Sequence, residues 1–440
     1  MESHRHLQPI RLCLHQHHDA PSHRAHGAHF EAEFHKSLPE VNMLFGAAAI
    51  TLGYSNLLIV PTANVFGRRP VIIVCGLICT LANIWQGLVT SHSSFIGARV
   101  ISGLGAGANE SIMPMVIADL LFLHQRGKSM ALYFWSYFMG LFMGPIISGA
   151  IASQISWRWF PQLQLPLNSS KHPASQPIPW DATPKPRPRL TITTSALLPK
   201  GKLSKSQLCF LPRVRFDPGS FLRDILSPLQ ILFYPIVLWA SLTMGFAANA
   251  LLALNLTEAQ VSSPPPYLFT PAQIGYTNFA FAIGAAVALF TAGSFSDWIT
   301  LQRAKRNHGI LEAEFRLPAL VPYVFVNLVG MTVTAVGYQR GWPWEAVVVV
   351  GIPAVAIAYA TDCYKALPGE IVIAATIVKN TFGFGMIFFF NDWAARQGYI
   401  APVLLLMVLT VGSSIIGLAL FIPFGKTFRR MTKDSTLHTL

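Results

Sequence analysis

Three ionisable side chains lie inside apolar stretches that are long enough to cross a membrane. Arg99 and Glu110 fall within residues 95–122, and Lys379 falls within residues 370–391. A charged side chain in hydrocarbon is costly, so each is a candidate functional group. On a helix, Arg99 and Glu110 are about three turns and roughly 16 Å apart, and they share one face. Glu110 could carry a proton or balance a cationic solute; the alternative is that each side chain pairs with a neighbouring helix.

Lys379 poses a related question, because an unpaired ammonium at this depth would shift its pKa or find a carboxylate. Glu110 is one candidate partner for it, and a local polar contact between adjacent helices is the alternative. Asn249 and Tyr359 are further candidates for substrate binding or coupling.

The composition places these residues in a multi-pass membrane protein. Of 440 residues, 52% are hydrophobic and only 12% are charged, whereas soluble domains average about 25% charged residues. Apolar stretches of about 20 residues span the hydrocarbon core. They predict ten spans, near 41–63, 70–90, 95–122, 129–153, 229–254, 273–296, 317–338, 344–364, 370–391 and 399–424.

The net charge of +13 does not predict a nucleic-acid partner, because most basic residues lie between spans, where cytoplasmic links carry them. No nucleophile elbow, phosphate loop or zinc-protease pattern is present, so we expect no catalytic residues, metal or cofactor. Nine of the 14 histidines precede residue 41. They suggest either a metal-binding tract or a disordered tail of biased composition, and we favour the tail.

Basic residues also predict topology, and the prediction contains a conflict. Arg68 and Arg69 place the first link inside the cell. Asn255-Leu256-Thr257 is a glycosylation acceptor pattern, which predicts that the link after the fifth span is outside. Residues 154–228 would then begin outside and end inside, yet this Pro-rich, basic stretch contains no convincing span.

Several motifs resemble the major facilitator superfamily and occur in that family's order. Gly67-Arg68-Arg69-Pro70 is similar to its first-loop motif, with Asn64 where aspartate is usual. Gly103, Gly105 and Gly107 follow Arg99 as in its fourth span, and the run from Gly140 through Gly144-Pro145 to Gly149 resembles its antiporter motif. Asp119 with Arg126 resembles the link between the fourth and fifth spans, and Gly293 to Asp297 resembles a repeat of the first-loop motif.

This resemblance implies an all-α membrane fold, a bundle of two halves with about ten recognisable spans of the twelve expected. It further implies a secondary transporter that moves small organic, cationic or drug-like solutes by proton-coupled alternating access. The sequences of these motifs most resemble those of fungal drug:proton antiporters. The alternative is a truncated, transport-inactive membrane remnant or scaffold protein, since the family's first and sixth spans have no counterpart here. We hypothesise that the stretches in their place are non-coding sequence read through or the product of a damaged gene, which transcript sequencing would test.

The expected organisation has five parts. They are a His-rich tail (1–40), a first half bundle (41–153), a Pro-rich basic stretch that replaces the sixth span (154–228), a second half bundle (229–425) and a cytoplasmic tail (426–440). The expected partners are a small-molecule substrate, protons and the lipid bilayer, and we expect a monomer. The plasma membrane is the favoured location, with the vacuolar membrane as the alternative.

Overall fold

The computed structural model describes residues 38–120, parts of 136–150, and 218–431 with gaps at 264, 266, 309–311 and 343–367. Within these ranges the secondary structure is entirely helical. The elements are α1 Leu38–Phe66, α2 Arg68–Leu88, α3 His92–Leu120, α4 Pro218–Ile231, α5 Pro235–Ser262, α6 Pro271–Arg306, a short 3-10 helix Ala313–Ala319, α7 Leu320–Arg340, α8 Pro368–Gln397 and α9 Ile400–Met431.

Six helices in the described ranges are long and apolar enough to cross a membrane. Two other long helices, α3 and α6, coincide with predicted spans. Helical residues within Met139–Ser148 coincide with a further one, and the predicted span 344–364 lies outside the described residues. The six helices of membrane-spanning length are Met43–Phe66, Arg68–Leu88, Pro235–Ser262, Ala313–Arg340, Glu370–Gln397 and Ile400–Phe428.

The predicted bounds of the fifth span are wrong. Residues 218–231 form the separate helix α4, a turn follows, and α5 then runs from Pro235 to Ser262. The apolar run alone could not show this break, because Leu229 to Leu232 are as hydrophobic as the span that follows. The predicted division at 228/229 therefore falls within α4.

The first link is a tight turn between two antiparallel helices. α1 ends at Phe66 and α2 begins at Arg68, so Gly67 alone joins them. Gly67 has a φ of 89°, which glycine adopts without the steric cost of a side chain. The sharp hairpin predicted from Gly67-Arg68-Arg69-Pro70 is present.

In the first half, α3 packs closely against both α1 and α2 because its glycines expose backbone. A Cβ on Gly103 would lie 2.6 Å from the Ala48 carbonyl oxygen of α1, and a Cβ on Gly107 would collide with Ser55 of the same helix. A Cβ on Gly105 would lie 2.8 Å from the Cys75 carbonyl oxygen of α2. Small residues at helical spacing thus permit backbone contact on two sides of α3.

The second half is built around α5, which packs against α8 and α9, while α7 packs against α9. Its larger core includes Trp239, Leu320 and Phe421. The Trp239 indole N–H donates to the Ser413 carbonyl oxygen at 2.7 Å, which ties α5 to α9.

The two halves meet along α1 and α8, and α4 contacts both of these helices. Val60 of α1 packs with Ile373 and Ile377 of α8. A second contact between the halves involves Phe142, whose ring lies 6.0 Å from that of Phe281 in α6. Any movement of one half against the other must rearrange both surfaces.

The close approach at Gly103 yields a prediction. Gly103→Ala should lower the free energy of unfolding by about 1–3 kcal/mol, because the added methyl group would collide with the backbone of α1. Gly412→Ala in α9 is the matched control, since nothing lies within 4 Å of a Cβ there. Thermal unfolding of the detergent-purified protein measures both effects. Equal stability of the two variants would contradict the packing argument.

Candidate functional site

The site centres on an ion pair between the two halves of the protein. The Lys379 ammonium of α8 lies 2.5 Å from Oε1 of Glu110 on α3. The side chains of Lys379 and Glu110 are only 15% and 7% exposed, respectively. The two residues are 269 positions apart in sequence, so tertiary packing alone brings them together. Of the two possibilities for Lys379, the structure shows the pairing with Glu110.

The approach of α8 to α1 positions Lys379 for this contact. A Cβ on Gly53 of α1 would lie 2.7 Å from Cβ of Asn380, the residue after Lys379. The helices therefore lie almost in backbone contact at the level of the ion pair. Beside it, the Thr381 hydroxyl donates to the Tyr54 hydroxyl at 3.2 Å, a second polar link between α1 and α8.

Asn249 lies on the other side of Lys379, where α5 packs against α8. Its amide donates to the Lys379 carbonyl oxygen at 2.9 Å and to the Gly245 carbonyl oxygen at 2.7 Å. Its Oδ1 is so close to Gly383 that a Cβ there would lie 2.5 Å away. Asn249 is 3% exposed. It is therefore buried between α5 and α8, against the backbone of Lys379.

Arg99 is on the same helix as Glu110 but nearer its start. It is fully buried, and its guanidinium carbon lies 5.7 Å from the centre of the Phe95 ring. Phe95 belongs to a small core with Leu44 and Val89. Arg99 is therefore packed where α1 and α3 begin, about three turns from Glu110.

Asn56 is a polar residue of this region that the search for charges overlooked. It is fully buried in α1, and its Oδ1 accepts a hydrogen bond from the Ser111 hydroxyl of α3 at 2.6 Å. The bond fixes α1 to α3 next to Glu110. A search for buried amides as well as charges inside apolar stretches would have found it.

Asn64, at the end of α1, has a partner that the sequence did not suggest. Its amide donates to Oδ2 of Asp224 on α4 at 3.0 Å. An aspartate at position 64 could not donate this hydrogen bond. The residue that departs from the family pattern thus matches an acidic partner in this chain.

Asn255 does not lie in a link, contrary to the prediction. It is within α5, is 5% exposed, and donates its amide to the Leu251 carbonyl oxygen at 2.9 Å. A glycan acceptor must be accessible at the surface. The geometry therefore disfavours glycosylation of Asn255.

The other predicted motif residues are placed only in part. Gly140 and Gly144 are buried in a helical segment, Asp119 lies on α3, and Gly293 and Asp297 lie on α6. Tyr359, Arg126, Pro145 and Gly149 lie outside the described residues, as does the His-rich tail. Within the described ranges, no three His, Cys, Asp or Glu side chains are grouped to hold a metal ion.

Comparison with known proteins decides the family. The sequence profile described as Major Facilitator Superfamily matches residues 27–390. The chain belongs to the major facilitator superfamily. It is therefore a multi-pass integral membrane transporter of a small-molecule substrate, and not an enzyme.

Relatives of this superfamily member agree with that assignment. It is 24% identical to an uncharacterized MFS-type transporter of Schizosaccharomyces pombe, C1271.10c, with 83% of this chain and 74% of the relative covered. It is also 24% identical to the "Probable efflux pump mfs2" of Aspergillus flavus, with 92% and 97% covered. These relatives mark it as a transporter of the fungal type.

A solved structure supports the fold. The xylose transporter XylE from E. coli, in a partially occluded inward open conformation, matches with a TM-score of 0.62 and 14% identity. The match covers 94% of this chain and 96% of XylE. The all-α transporter fold predicted from the sequence is confirmed.

The buried ion pair should be strongly coupled in its energetics. Lys379→Met alone, or Glu110→Gln alone, should lower the free energy of unfolding by about 3–5 kcal/mol, because each leaves an uncompensated buried charge. The free energy of unfolding of the double variant should fall by much less than the sum of the two single effects. Thermal or chemical unfolding of the purified protein measures this double-mutant cycle.

The control for this cycle is the exposed pair Asp392–Arg396, whose closest atoms are 3.0 Å apart. Asp392→Asn and Arg396→Gln should each change stability by less than about 1 kcal/mol. Additive effects at positions 110 and 379 would show that the two charges do not depend on each other.

The Asn64–Asp224 contact predicts an unusual outcome for a substitution toward the family pattern. Asn64→Asp should destabilise the protein by up to about 1 kcal/mol, because two exposed carboxylates would face each other without a donor. Adding Asp224→Asn to that variant should restore stability, since the donor and acceptor are then exchanged. Melting temperatures of the wild type and the two variants check this, and a stabilising Asn64→Asp would refute it.

Proposed function

We propose that this chain is a proton-coupled secondary transporter that moves small organic cations across the membrane by alternating access. The observation that supports this most directly is the Glu110–Lys379 pair, which joins α3 of the first half to α8 of the second. Substrate sites in such transporters lie near the middle of the membrane between the halves.

The physical basis is the cost of separating a buried pair of charges. When the halves move apart, Lys379 leaves Glu110, and each side chain then needs a new partner. A lone charge at this depth costs at least about 2.5–3.5 kcal/mol. The separated state is therefore rare unless a proton or a cationic solute takes the place of the ammonium at Glu110.

This competition couples solute movement to proton movement. Glu110 can accept the Lys379 ammonium, a cationic solute or a proton, but only one of them at a time. A solute that binds on one side leaves when a proton or Lys379 replaces it on the other. Exchange of one cation for the other is the behaviour of an antiporter, and it agrees with the resemblance to drug:proton antiporters.

The neighbouring residues have supporting roles in this proposal. Asn249 is a positioning residue, because its amide donates to the backbone carbonyl oxygen of Lys379. Arg99 repels cations at the start of α3 and thereby limits entry from that side. Tyr359 stays a predicted substrate contact. The glycines of α3 provide smooth surfaces on which α1 and α2 can move against it.

The direction and setting are further parts of the proposal. Export is favoured because one relative is named a probable efflux pump, and the plasma membrane is favoured over the vacuolar membrane. The five-part organisation, the loss of the first and sixth spans and a monomeric state stay predictions.

Reconstitution of the full chain into liposomes tests this function. An imposed pH gradient should drive uptake of a radiolabelled organic cation such as tetraethylammonium, and the solute should in turn drive proton movement. Glu110→Gln should reduce gradient-driven flux at least about tenfold, because one charged contact contributes about 1.5–3 kcal/mol. The remaining flux should no longer respond to the pH gradient.

Asp392→Asn serves as the control, since Asp392 is an exposed carboxylate with a partner on its own helix. It should transport like the wild type. Unchanged proton-coupled flux in Glu110→Gln would remove Glu110 from the mechanism. A wild-type chain that inserts stably but transports none of the cations tested would favour the alternative of an inactive remnant.

A further inference from the structure

Helix α4 has one side that packs against the protein and a second, apolar side that is exposed. Ser227 and Ile231, one turn apart, are buried, and Ile231 belongs to the larger core of the second half. Leu222 and Leu226, also one turn apart, are 57% and 41% exposed. Residues four apart lie on the same side of a helix. The two leucines therefore form an apolar surface away from the packed side.

The packed side of α4 shows how deep this helix lies in the membrane. Leu229 packs with Val60 of α1 and with Ile373 and Ile377 of α8. Val60 precedes the end of α1 at Phe66 by about 9 Å along the helix axis. Both partner helices are of membrane-spanning length. The helix α4 therefore lies level with the boundary between lipid headgroups and acyl chains.

The chain passes from α4 into a membrane-spanning helix almost at once. Residues 232–234 alone separate Ile231 from Pro235, where α5 begins, and so short a link reaches at most about 14 Å. Phe233 in this link is 85% exposed. Helices that lie in the surface of a bilayer place Phe and Leu side chains at this depth. Phe233 thus extends the apolar surface of Leu222 and Leu226.

The charge beside this surface favours an anionic partner. Arg223 of α4 is exposed, and the chain that leads into α4 has five Lys or Arg and no Asp or Glu between residues 200 and 215. Through Asp224, α4 contacts the end of α1, and the basic link that follows α1 assigns this end to the cytoplasm. The cytoplasmic leaflet contains anionic phospholipids, which attract basic residues close to a membrane span.

We propose that α4 is an interfacial helix that binds an anionic phospholipid of the cytoplasmic leaflet. Leu222, Leu226 and Phe233 contact the acyl chains, and the Arg223 guanidinium pairs with the headgroup. Because α4 also contacts α1 and α8, the bound lipid lies at the junction of the two halves. Lipid binding of this kind involves neither the solute nor the coupling ion, so it stands or falls apart from the proposed transport function.

Spin labelling measures whether the exposed side of α4 enters the bilayer. A nitroxide is attached to Leu226→Cys in the full chain with its five native cysteines replaced by alanine. The protein is then reconstituted into liposomes of phosphatidylcholine and phosphatidylserine. We expect the label to collide more often with oxygen, which concentrates among acyl chains, than with a water-soluble nickel complex.

Two further labelled positions calibrate this measurement. Ile416→Cys gives the lipid reference, because Ile416 is exposed in the middle of the span formed by α9. Lys305→Cys gives the water reference, because Lys305 is exposed in the basic last turn of α6. The label at position 226 should resemble the first reference and differ from the second.

A lipid titration measures the preference for an anionic headgroup in the chain with its native cysteines. Short-chain phosphatidylserine is added to the purified protein in neutral detergent, and the melting temperature is followed. A ligand that binds only the folded state raises this temperature in a saturable way. Arg223→Gln should weaken the apparent affinity about fivefold, because it removes one basic contact with the headgroup. Arg223→Lys should keep most of the affinity.

Arg396→Gln is the matched control for the titration. Arg396 is an exposed arginine in the last turn of α8, whereas α4 contacts the first part of that helix through Ile373 and Ile377. This variant should bind phosphatidylserine like the wild type. Leu226→Gln should weaken binding, since it removes an apolar contact with the acyl chains.

Several results would overturn the proposal. A label at position 226 with the nickel accessibility of the Lys305→Cys label would place α4 in water. Low accessibility to both reagents would show that protein, such as a second copy of the chain, covers this side. Equal affinity for phosphatidylserine and phosphatidylcholine, or wild-type affinity in Arg223→Gln, would exclude the anionic headgroup. If the chain without cysteines does not fold, wild-type lipid affinity in Leu226→Gln would exclude the apolar contact.

Discussion

The rest of the structure depends on one contact between opposite charges in a region of low dielectric. Neither Glu110 nor Lys379 can be buried alone at an acceptable energy, so the two halves must meet where these side chains touch. The helices around the pair satisfy that requirement by close packing. Gly53 allows α8 to approach α1, and Asn249 holds the backbone of Lys379 from the side of α5.

Helix α1 is the element through which this arrangement is assembled. On one side it accepts the backbone of α3 at Gly103 and Gly107, and on another it meets Asn380 of α8 through Gly53. Asn56 and Ser111 add a polar bond to the first contact. Because α1 contacts both partners at the same depth, a small rotation of α1 would change the distance between Glu110 and Lys379.

The sequence identified the individual charges of the site but could not establish their pairing. Arg99, Glu110 and Lys379 stand out because charges are rare in apolar stretches. Their partners depend on which helices pack together, and local sequence does not encode a contact across 269 positions. The same limit explains two failures. α4 was missed because its apolar run continues toward α5, and Asn255 was placed in a link because a three-residue acceptor pattern carries no information on burial.

At position 64 the first-loop motif has asparagine in place of the usual aspartate, so the same position makes a different kind of contact. Asparagine at this position removes the negative charge that the family pattern places at the end of α1. The structure shows a donor directed at Asp224 instead. Since α4 contacts both α1 and α8, this bond lies at the junction of the two halves, away from the central ion pair. Opening the halves at that end must therefore break a single hydrogen bond from an amide to an exposed carboxylate. Water can replace this bond, so breaking it costs far less than separating Glu110 from Lys379. The ion pair, and not the end contact, then sets the energy that a proton or a solute must supply.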